Sequence, residues 1–369
     1  MNAAHRPIRV LHIASGDLWA GAEVQVAQLV GALAKRSGLE LAVVLLNEGE
    51  LADRMRRAGV LIRVIPEHQS SAMSVYRQLV TVMQDWRPNV VHTHRQKENI
   101  LGALAARAAR VPACLRTVHG APEFTQHWWQ LRKQVPRKLD RWIAQNLQQH
   151  VVAVSEELKV QLKRTLPGAS VSVIPNGIDV DEIRMAAEPP VHLQEGLIHV
   201  AYIGRLVPVK RVDIFLRMAA ELVLRWPNTY QFHVIGSGPL RPRLEQLSAE
   251  LRLSTSCHFH GFHANAPRWL AAMNCMVLTS DHEGLPMTAL EARALGVPVV
   301  AHAVGGLSSL LEGASDCRLV VAGDPNAIVQ AIRSAAVASL DRTQSQLPER
   351  YRIDSTSAEY SHLYRTLLQ

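Results

Sequence analysis

The chain has 369 residues, of which 48% are apolar and 20% are charged, and its formal net charge is +8. This length exceeds what one hydrophobic core usually supports, so we predict two folded domains and exclude a largely disordered chain. The short apolar run at residues 8–14 contains Arg9 and His12, and no stretch approaches the roughly 20 apolar residues of a membrane span, so neither a signal peptide nor a transmembrane helix is expected.

The cysteines are scattered along the chain and form no C-x-x-C pair. They are Cys114, Cys257, Cys275 and Cys317. This pattern is typical of reduced thiols, and we expect a cytoplasmic protein.

In residues 1–190, short β-branched runs alternate with stretches of helical period. The first predicted elements are a strand at Arg9–Ala14, a helix at Glu23–Lys35 and a strand at Leu39–Leu46. Further strands are predicted at Ile62–Ile65, Val90–His92, Cys114–Val118, Val151–Val154 and Val171–Ile174. The alternation predicts a parallel sheet with helices on both faces.

A turn-rich stretch at Pro175–Asp179 begins a segment that contains Pro189, Pro190 and Gly196 and lacks regular periodicity. We predict the interdomain linker there, with a first domain at residues 1–190.

The alternation then restarts and predicts a second doubly wound domain at residues 191–350. Its strands are predicted at His199–Ile203, Tyr230–Ile235, His258–His260, Cys275–Leu278, Val299–His302 and Arg318–Val321. Residues 351–369 place Tyr360, Tyr364 and Leu367 at helical spacing, which predicts a closing helix that packs back toward the first domain.

A strand-to-helix segment at Val277–Ala292 carries two carboxylates, Glu283 in the loop and Glu291 inside the helix. The free amides at a helix N-terminus favour an anion such as a diphosphate, and carboxylates accept hydrogen bonds from sugar hydroxyls. The alternative is an acidic residue that stabilises the helix N-terminus together with an ordinary surface glutamate.

Two cations, Arg205 and Lys210, follow the first strand of the second domain. Cations at a strand end suit a diphosphate leaving group, whose charge grows as the sugar bond breaks. A second glycine-rich loop, Gly305-Gly306, is expected at the same sheet edge, where its amides could face phosphate. The alternative is that both cations are solvated on the surface.

These segments resemble the donor domain of retaining GT-B glycosyltransferases of family 4. The resemblance includes Gly204-Arg205-Leu206, Gly236–Pro239, Gly261-Phe262, the Glu283-x7-Glu291 spacing and Gly296–Val299. In the first domain it includes Trp19–Glu23, His119-Gly120, Val154-Ser155 and Pro175–Asp179. The chain departs from the family pattern at Ala20, where glycine is usual, at Arg211, where glycine is frequent, and at Leu307-Ser308-Ser309.

The resemblance implies an α/β protein of the GT-B type, with two doubly wound Rossmann-like domains facing a cleft and a C-terminal closing helix. It implies catalytic roles for His119, which would reach the sugar, and for Glu283, which would contact sugar hydroxyls. The donor-binding residues that it implies are Gly21, Arg205, Lys210, Gly238, Gly261, Phe262, Gly284, Leu285, Pro286 and Glu291.

The activity implied by the resemblance is retaining transfer of a hexose or N-acetylhexosamine from a nucleotide sugar, with UDP-sugars favoured and GDP-sugars as the alternative. The implied acceptor is a glycan or a lipid-linked molecule in bacterial-type cell-surface polysaccharide biosynthesis. The alternatives are a GT-B sugar-nucleotide epimerase and a non-catalytic sugar-nucleotide-binding protein. We expect no cofactor and no metal.

Three other patterns in the sequence suggest different functions. Asp179-Val180-Asp181 has the D-x-D spacing of metal-binding GT-A enzymes but lies at the domain crossover, which favours a structural role. Gly236-Ser237-Gly238 resembles a dinucleotide fingerprint, but Arg241 replaces its third glycine. The histidines at 92, 94, 258, 260 and 263 have no cysteine or carboxylate to complete a zinc site, so no metal site is predicted.

The first domain carries most of the excess positive charge. Between Arg107 and Ile143 there are eight Lys or Arg residues against two acidic ones, interleaved with Trp128, Trp129 and Trp142. This mixture suits an anionic membrane surface or a lipid-linked phosphate, with an ordinary solvated helix as the alternative. Peripheral association with the inner face of a membrane is therefore one expectation, and nucleic acid is not expected as a partner.

Overall fold

The computed structural model describes residues 6–120, 131–321, 325–336 and 345–369, with only the backbone of 131–137 and of 325. These residues form two compact units. The first combines residues up to 177 with residues 350–369, and the second consists of residues 178–349.

The first unit contains a seven-stranded parallel sheet in the order β3-β2-β1-β4-β5-β6-β7. Its strands are β1 (Ile8–Ala14), β2 (Leu39–Leu45), β3 (Leu61–Val64), β4 (Val90–Thr93), β5 (Ala113–Val118), β6 (His150–Ala153) and β7 (Val171–Val173). Its helices are α1 (Gly21–Ala34), α2 (Glu50–Arg57), α3 (Ala72–Trp86), α4 (Gln96–Ala108), α5 (Leu131–Asn146), α6 (Glu156–Thr165) and α14 (Ile353–Thr366).

The two faces of this sheet contribute to separate hydrophobic clusters because side chains alternate along each strand. Val10 and Val90 face α1 and α14, whereas Leu11 and Val91 face the side covered by α3 and α4. Both faces are therefore buried, as in doubly wound proteins.

The C-terminal helix α14 is part of the core of the first unit. Tyr360 and Tyr364 are 1% and 0% exposed and pack with Val10 and Leu29 of that unit. A side chain at Gly177 would collide with Thr356 and the backbone of α14, so the glycine permits the close approach of the crossover to this helix.

The second unit contains a six-stranded parallel sheet in the order β10-β9-β8-β11-β12-β13. Its strands are β8 (Ile198–Ile203), β9 (Tyr230–Ile235), β10 (Cys257–Gly261), β11 (Cys275–Leu278), β12 (Val299–His302) and β13 (Arg318–Val320). Its helices are α7 (Val180–Ala187), α8 (Val212–Arg225), α9 (Arg241–Glu250), α10 (Ala266–Ala272), α11 (Met287–Ala294), α12 (Gly306–Leu311) and α13 (Pro325–Ala336). The two predicted parallel α/β sheets are thus confirmed.

The segment predicted as an irregular linker contains helix α7, which packs against α10 and α11 of the second unit. Asp179 caps this helix by accepting hydrogen bonds from the backbone amides of Asp181 and Glu182 at 3.0 Å. The helix was missed because its two buried residues, Ile183 and Ala187, span a single turn and give little periodicity.

No helix in the described ranges is long and apolar enough to cross a membrane. All four cysteines are buried and free.

Candidate functional site

The loops that follow β8, β9, β10 and β11 meet at the carboxyl edge of the second sheet. Leu206 donates its amide to Ser237 at 2.9 Å, Gly236 donates to Gly261 at 2.7 Å, and Asp281 donates to Val209 at 2.9 Å. Because parallel strands end at one edge, these backbone contacts bring the predicted donor-site segments together.

Lys210 and Glu283 form an ion pair at this edge. The Lys210 Nζ lies 2.7 and 2.8 Å from the two carboxylate oxygens of Glu283, and Ser280 donates its hydroxyl to the same carboxylate at 2.6 Å. Their side chains are 19% and 6% exposed, so water screens the pair only partly. The predicted phosphate-binding cation and the predicted sugar-binding carboxylate are therefore paired with each other in this structure.

Glycines in these loops permit backbone-to-backbone packing. A side chain at Gly236 would collide with the carbonyl of Gly204, and one at Gly305 would collide with the carbonyl of Glu283. The amide of Gly306 donates to the Gly284 carbonyl at 2.6 Å. The amide of Gly306, expected to face phosphate, is thus used to join the two loops.

Gly238 and Gly261 also lie in this assembly. A side chain at Gly238 would collide with the backbone of Leu206, and Gly261 has a φ of 77°, a conformation that favours glycine. Phe262, the next residue, is 53% exposed.

The loop at Lys210 continues into Arg211, whose backbone and side chain both have partners in the second unit. Arg211 adopts a left-handed conformation with a φ of 48° and pairs with Asp213 and Asp281 at 3.1 and 3.2 Å. The Thr279 hydroxyl donates to the carbonyl of Arg211 at 2.8 Å. The left-handed backbone explains why glycine suits this position in the family pattern.

Helix α11 carries the second carboxylate of the motif. Pro286 directly precedes the helix, and Glu291 is 6% exposed inside it. Leu285 is 3% exposed and its side chain lies next to Gly306, so any contact of this residue with a donor would involve its backbone.

Arg205 lies at the same edge, directly after β8, and its carbonyl accepts a hydrogen bond from the Tyr202 hydroxyl at 2.9 Å. Gly21 and His119 belong to the first unit: Gly21 is the first residue of α1, and His119 follows the end of β5. Ala20 precedes α1 in an extended conformation with a φ of −138°, which any residue adopts, so the departure from glycine causes no backbone strain.

His119 is the end of a row of hydrogen-bonded histidines that sequence reasoning did not find. His12 Nδ1 lies 3.0 Å from His94 Nε2, and His94 Nδ1 lies 3.2 Å from His119 Nε2. At the other end the Tyr364 hydroxyl lies 3.4 Å from His12 Nε2 and 2.8 Å from His92 Nδ1. We call His12, His94 and His119 the first row.

Burial keeps the rings of this row neutral. It lowers the pKa of His12 to about 3 and, together with the nearby Arg95 charge, the pKa of His119 to about 4. The pKa values of His92 and His94 are lowered by burial and then by their neighbouring histidines. Each ring therefore has one N–H and one acceptor nitrogen.

His12, His92 and His94 also place one ring nitrogen each within 4.8 Å of one another, a grouping that resembles a His₃ metal site. Their ring nitrogens, however, already have partners: His12 faces His94, and His92 Nε2 faces the Thr117 hydroxyl at 2.8 Å. These contacts explain the grouping as a hydrogen-bonded network.

A second row crosses the sheet of the other unit and consists of His199, His233 and His260. The Nδ1 of each ring lies 3.0 Å from the Nε2 of the next. The other ring nitrogen of His199, Nε2, lies 2.8 Å from the carbonyl oxygen of Gln194. The tempting zinc candidates His258 and His260 thus have other partners, since His258 lies 2.9 Å from the Gln231 side chain.

The remaining predicted features are placed as follows. The D-x-D aspartate Asp179 is a helix cap, as a structural role requires. In the basic stretch, Trp142 is 49% exposed, whereas Trp128 and Trp129 lie outside the described residues.

Two family models match consecutive parts of the chain. Residues 19–182 match Glycosyltransferase Family 4, and residues 198–336 match Glycosyl transferases group 1.

Individual proteins extend this similarity over most of the chain. The UDP-Gal:alpha-D-GlcNAc-diphosphoundecaprenol alpha-1,3-galactosyltransferase of Escherichia coli is 26% identical over 352 residues, covering 90% of this chain and 89% of the relative. The 2-deoxystreptamine N-acetyl-D-glucosaminyltransferase of Streptomyces fradiae is 27% identical, covering 86% and 83%. HepE of Anabaena, solved with UDP and glucose, has the same fold with a TM-score of 0.79 at 19% identity, covering 97% of this chain and 100% of HepE. On these grounds the chain belongs to the group 1, family 4-type glycosyltransferases.

Proposed function

We propose that the chain transfers a hexose or N-acetylhexosamine from a UDP-sugar to a lipid-linked or glycan acceptor, with retention of the anomeric configuration. The observation that carries this proposal is the Lys210–Glu283 ion pair at the carboxyl edge of the second sheet. A cation for the diphosphate and a carboxylate for the sugar are hydrogen-bonded to each other. In a nucleotide sugar the diphosphate is bonded directly to the sugar, so one donor molecule can contact both side chains.

The ion pair prepares both groups for the donor. When a diphosphate binds, Lys210 exchanges one carboxylate oxygen for a phosphate oxygen, and Glu283 gains capacity to accept hydrogen bonds from sugar hydroxyls. Ser280 holds the carboxylate in place during this exchange. Arg205, directly after the same strand, adds positive charge for the leaving group.

For the chemical step we propose a front-face departure. The bond between the anomeric carbon and the diphosphate oxygen breaks, the acceptor oxygen bonds to the same face of that carbon, and the acceptor proton passes to the leaving diphosphate. In this mechanism Lys210 and Arg205 stabilise the developing charge, so we further propose that turnover requires no divalent metal.

The acceptor is proposed by analogy. The Escherichia coli relative is named for a galactosyl transfer to a GlcNAc-diphosphoundecaprenol. A lipid-linked acceptor agrees with the basic composition of residues 107–143, and we propose that the protein works in polysaccharide biosynthesis at the inner face of a membrane.

The experiment begins with a thermal-shift screen of UDP- and GDP-sugars, because a bound donor raises the melting temperature. Hits are then incubated with GlcNAc-diphosphoundecaprenol in EDTA and in Mg²⁺, and the product anomer is determined by NMR. We expect a UDP-sugar hit and an α-linked product from an α-linked donor, at equal rates in both buffers.

Other results would separate the alternatives. An inverted product would reject retention, and a rate restored only by Mg²⁺ would reject metal independence. A new nucleotide sugar formed from donor alone would identify an epimerase, whereas binding without turnover of any acceptor would identify a binding protein.

A further inference from the structure

The second row shows how an anchor fixes the protons of a histidine row. A backbone carbonyl only accepts hydrogen bonds, so the hydrogen between His199 Nε2 and the Gln194 carbonyl must be on the ring. His199 then accepts at Nδ1 from the Nε2–H of His233, which accepts in turn from the Nε2–H of His260. All three rings have the same tautomer.

The first row has a different anchor. The Tyr364 hydroxyl can donate to one partner and accept from another, and it contacts both His92 and His12. If it donates to His92, then His12 Nε2–H donates to the tyrosine oxygen and every later ring is an Nε2–H tautomer. If it donates to His12 instead, every ring in the row is an Nδ1–H tautomer.

Two observations select the first arrangement. The contact of Tyr364 with His92 is 2.8 Å, within the usual range for a hydroxyl donor, whereas its contact with His12 is 3.4 Å. At the far end, His119 Nδ1 is buried and has no hydrogen-bond partner among the described residues. A buried N–H without an acceptor is rarer and more costly than a buried lone pair without a donor.

We propose that Tyr364, His12 and His94 are positioning residues that hold His119 as its Nε2–H tautomer, so that the Nδ1 lone pair accepts a hydrogen bond from a sugar hydroxyl. The role of this lone pair rests on the proposed function. The tautomer itself depends only on the first unit.

The tautomer is measured directly by ¹⁵N NMR of the histidine-labelled full chain, with His119→Gln used to assign the His119 signals. We expect the Nε2–H tautomer in the wild type and a mixture of tautomers in Tyr364→Phe, which keeps the buried ring but removes the hydroxyl. An Nδ1–H tautomer in the wild type, or an unchanged tautomer in Tyr364→Phe, would overturn the proposal. Zinc bound in stoichiometric amount by His12, His92 and His94 would overturn it too.

Kinetics then test the consequence. His94→Leu breaks the row, and we expect at least a tenfold lower kcat with an unchanged KM for the donor. His94→Gln, whose amide both donates and accepts, should recover most of kcat; an equal loss in the two variants would reject a positioning role. The matched control is His233→Leu, which breaks the second row and should leave kcat unchanged.

The two proposals can fail separately. If the wild type transfers no sugar, the proposed function fails, while the NMR signals of His119 and Tyr364→Phe still decide the tautomer. If His94→Leu does not fold, Tyr364→Phe still provides both readouts.

Discussion

The two histidine rows are built alike but end differently. In each row, the next histidine lies on the neighbouring strand and two residues closer to the carboxyl edge. In the first row, His12 is in register with His92, and its partner His94 lies two residues further along that strand. In the second row, His233 is in register with Ala201, which lies two residues beyond its partner His199. Both rows also join Nδ1 to Nε2 throughout. A diagonal of histidines on one sheet face is therefore enough to form such a row.

The difference between the rows lies in their ends. The first row begins at a tyrosine hydroxyl on α14 and ends at His119, a predicted catalytic residue, whereas the second begins at a backbone carbonyl and ends at His260. The chemistry that we propose for the second unit lies instead in the Lys210–Glu283 pair. A histidine row can therefore affect catalysis only if the residue at its end contacts the substrate.

Among the proposed substitutions, Glu283→Ala should have the largest effect, and it tests whether the second unit acts through Glu283. We expect turnover at least about a hundredfold lower, since contacts to the transferring sugar are lost and Lys210 loses its partner. Steady-state kinetics with the identified donor measure the effect. Glu312→Ala, an exposed glutamate of the same unit, is the control; wild-type turnover in Glu283→Ala would contradict the site.

Acidification should affect His12 of the first row and His233 of the second row alike. Burial lowers the pKa of His12 to about 3 and that of His233 to about 3, from an ordinary value of 6.5. Between these values the unfolded chain binds more protons, so the free energy of unfolding decreases from pH 7 to pH 5 by about 2 kcal/mol for each such histidine.

Urea denaturation at the two pH values measures this change. His12→Leu and His233→Leu each remove one titrating ring and should reduce the pH dependence by a similar amount. A free energy of unfolding that is equal at pH 7 and pH 5 would show that the rings are not held neutral.

Lys210→Ala sharpens the contrast between binding and chemistry in the second unit. We expect roughly tenfold weaker binding of UDP, because a charge-assisted contact to the diphosphate is lost. Isothermal titration calorimetry measures this affinity, with the exposed Arg217→Ala on α8 as the control. Unchanged UDP affinity in Lys210→Ala would remove this residue from the donor site.

Arg211→Gly should have the smallest effect. Glycine relieves a left-handed backbone that costs about 1 kcal/mol for other residues, but the change also removes partly exposed ion pairs with Asp213 and Asp281. We expect a change of less than about 1 kcal/mol in the free energy of unfolding. A large loss of stability on urea denaturation would mean that the ion pairs hold the loop.

Much of the fold and part of the site follow from local sequence patterns. Most strands contain β-branched residues, although β10 (Cys257–Gly261) contains none. Lys210 and Glu283 follow β8 and β11, which are neighbours in the sheet. The strand predictions place both residues at the carboxyl edge of one sheet, but the adjacency of β8 and β11, which brings the two side chains together, comes from the structure.

The first row could not be predicted in the same way. Tyr364 and His92 are 272 positions apart, and their contact depends on where α14 packs. The helical spacing of Tyr360 and Tyr364 predicts an apolar face, but no local pattern specifies which sheet receives it or that the hydroxyls meet histidines. The His92-x-His94 spacing at the end of β4 was the available signal, because alternate residues share one sheet face.

The return of α14 to the first unit also orders events during synthesis. Residues 178–349 are continuous, so the second unit can fold as soon as they have left the ribosome, whereas the first unit lacks Tyr360 and Tyr364 until helix α14 has left it as well. Until then, the apolar sheet face around Val10 and Val90 is not covered by α14, and His92 lacks its hydrogen bond with Tyr364. A nascent or C-terminally truncated chain therefore presents an unfinished N-terminal half to chaperones and proteases.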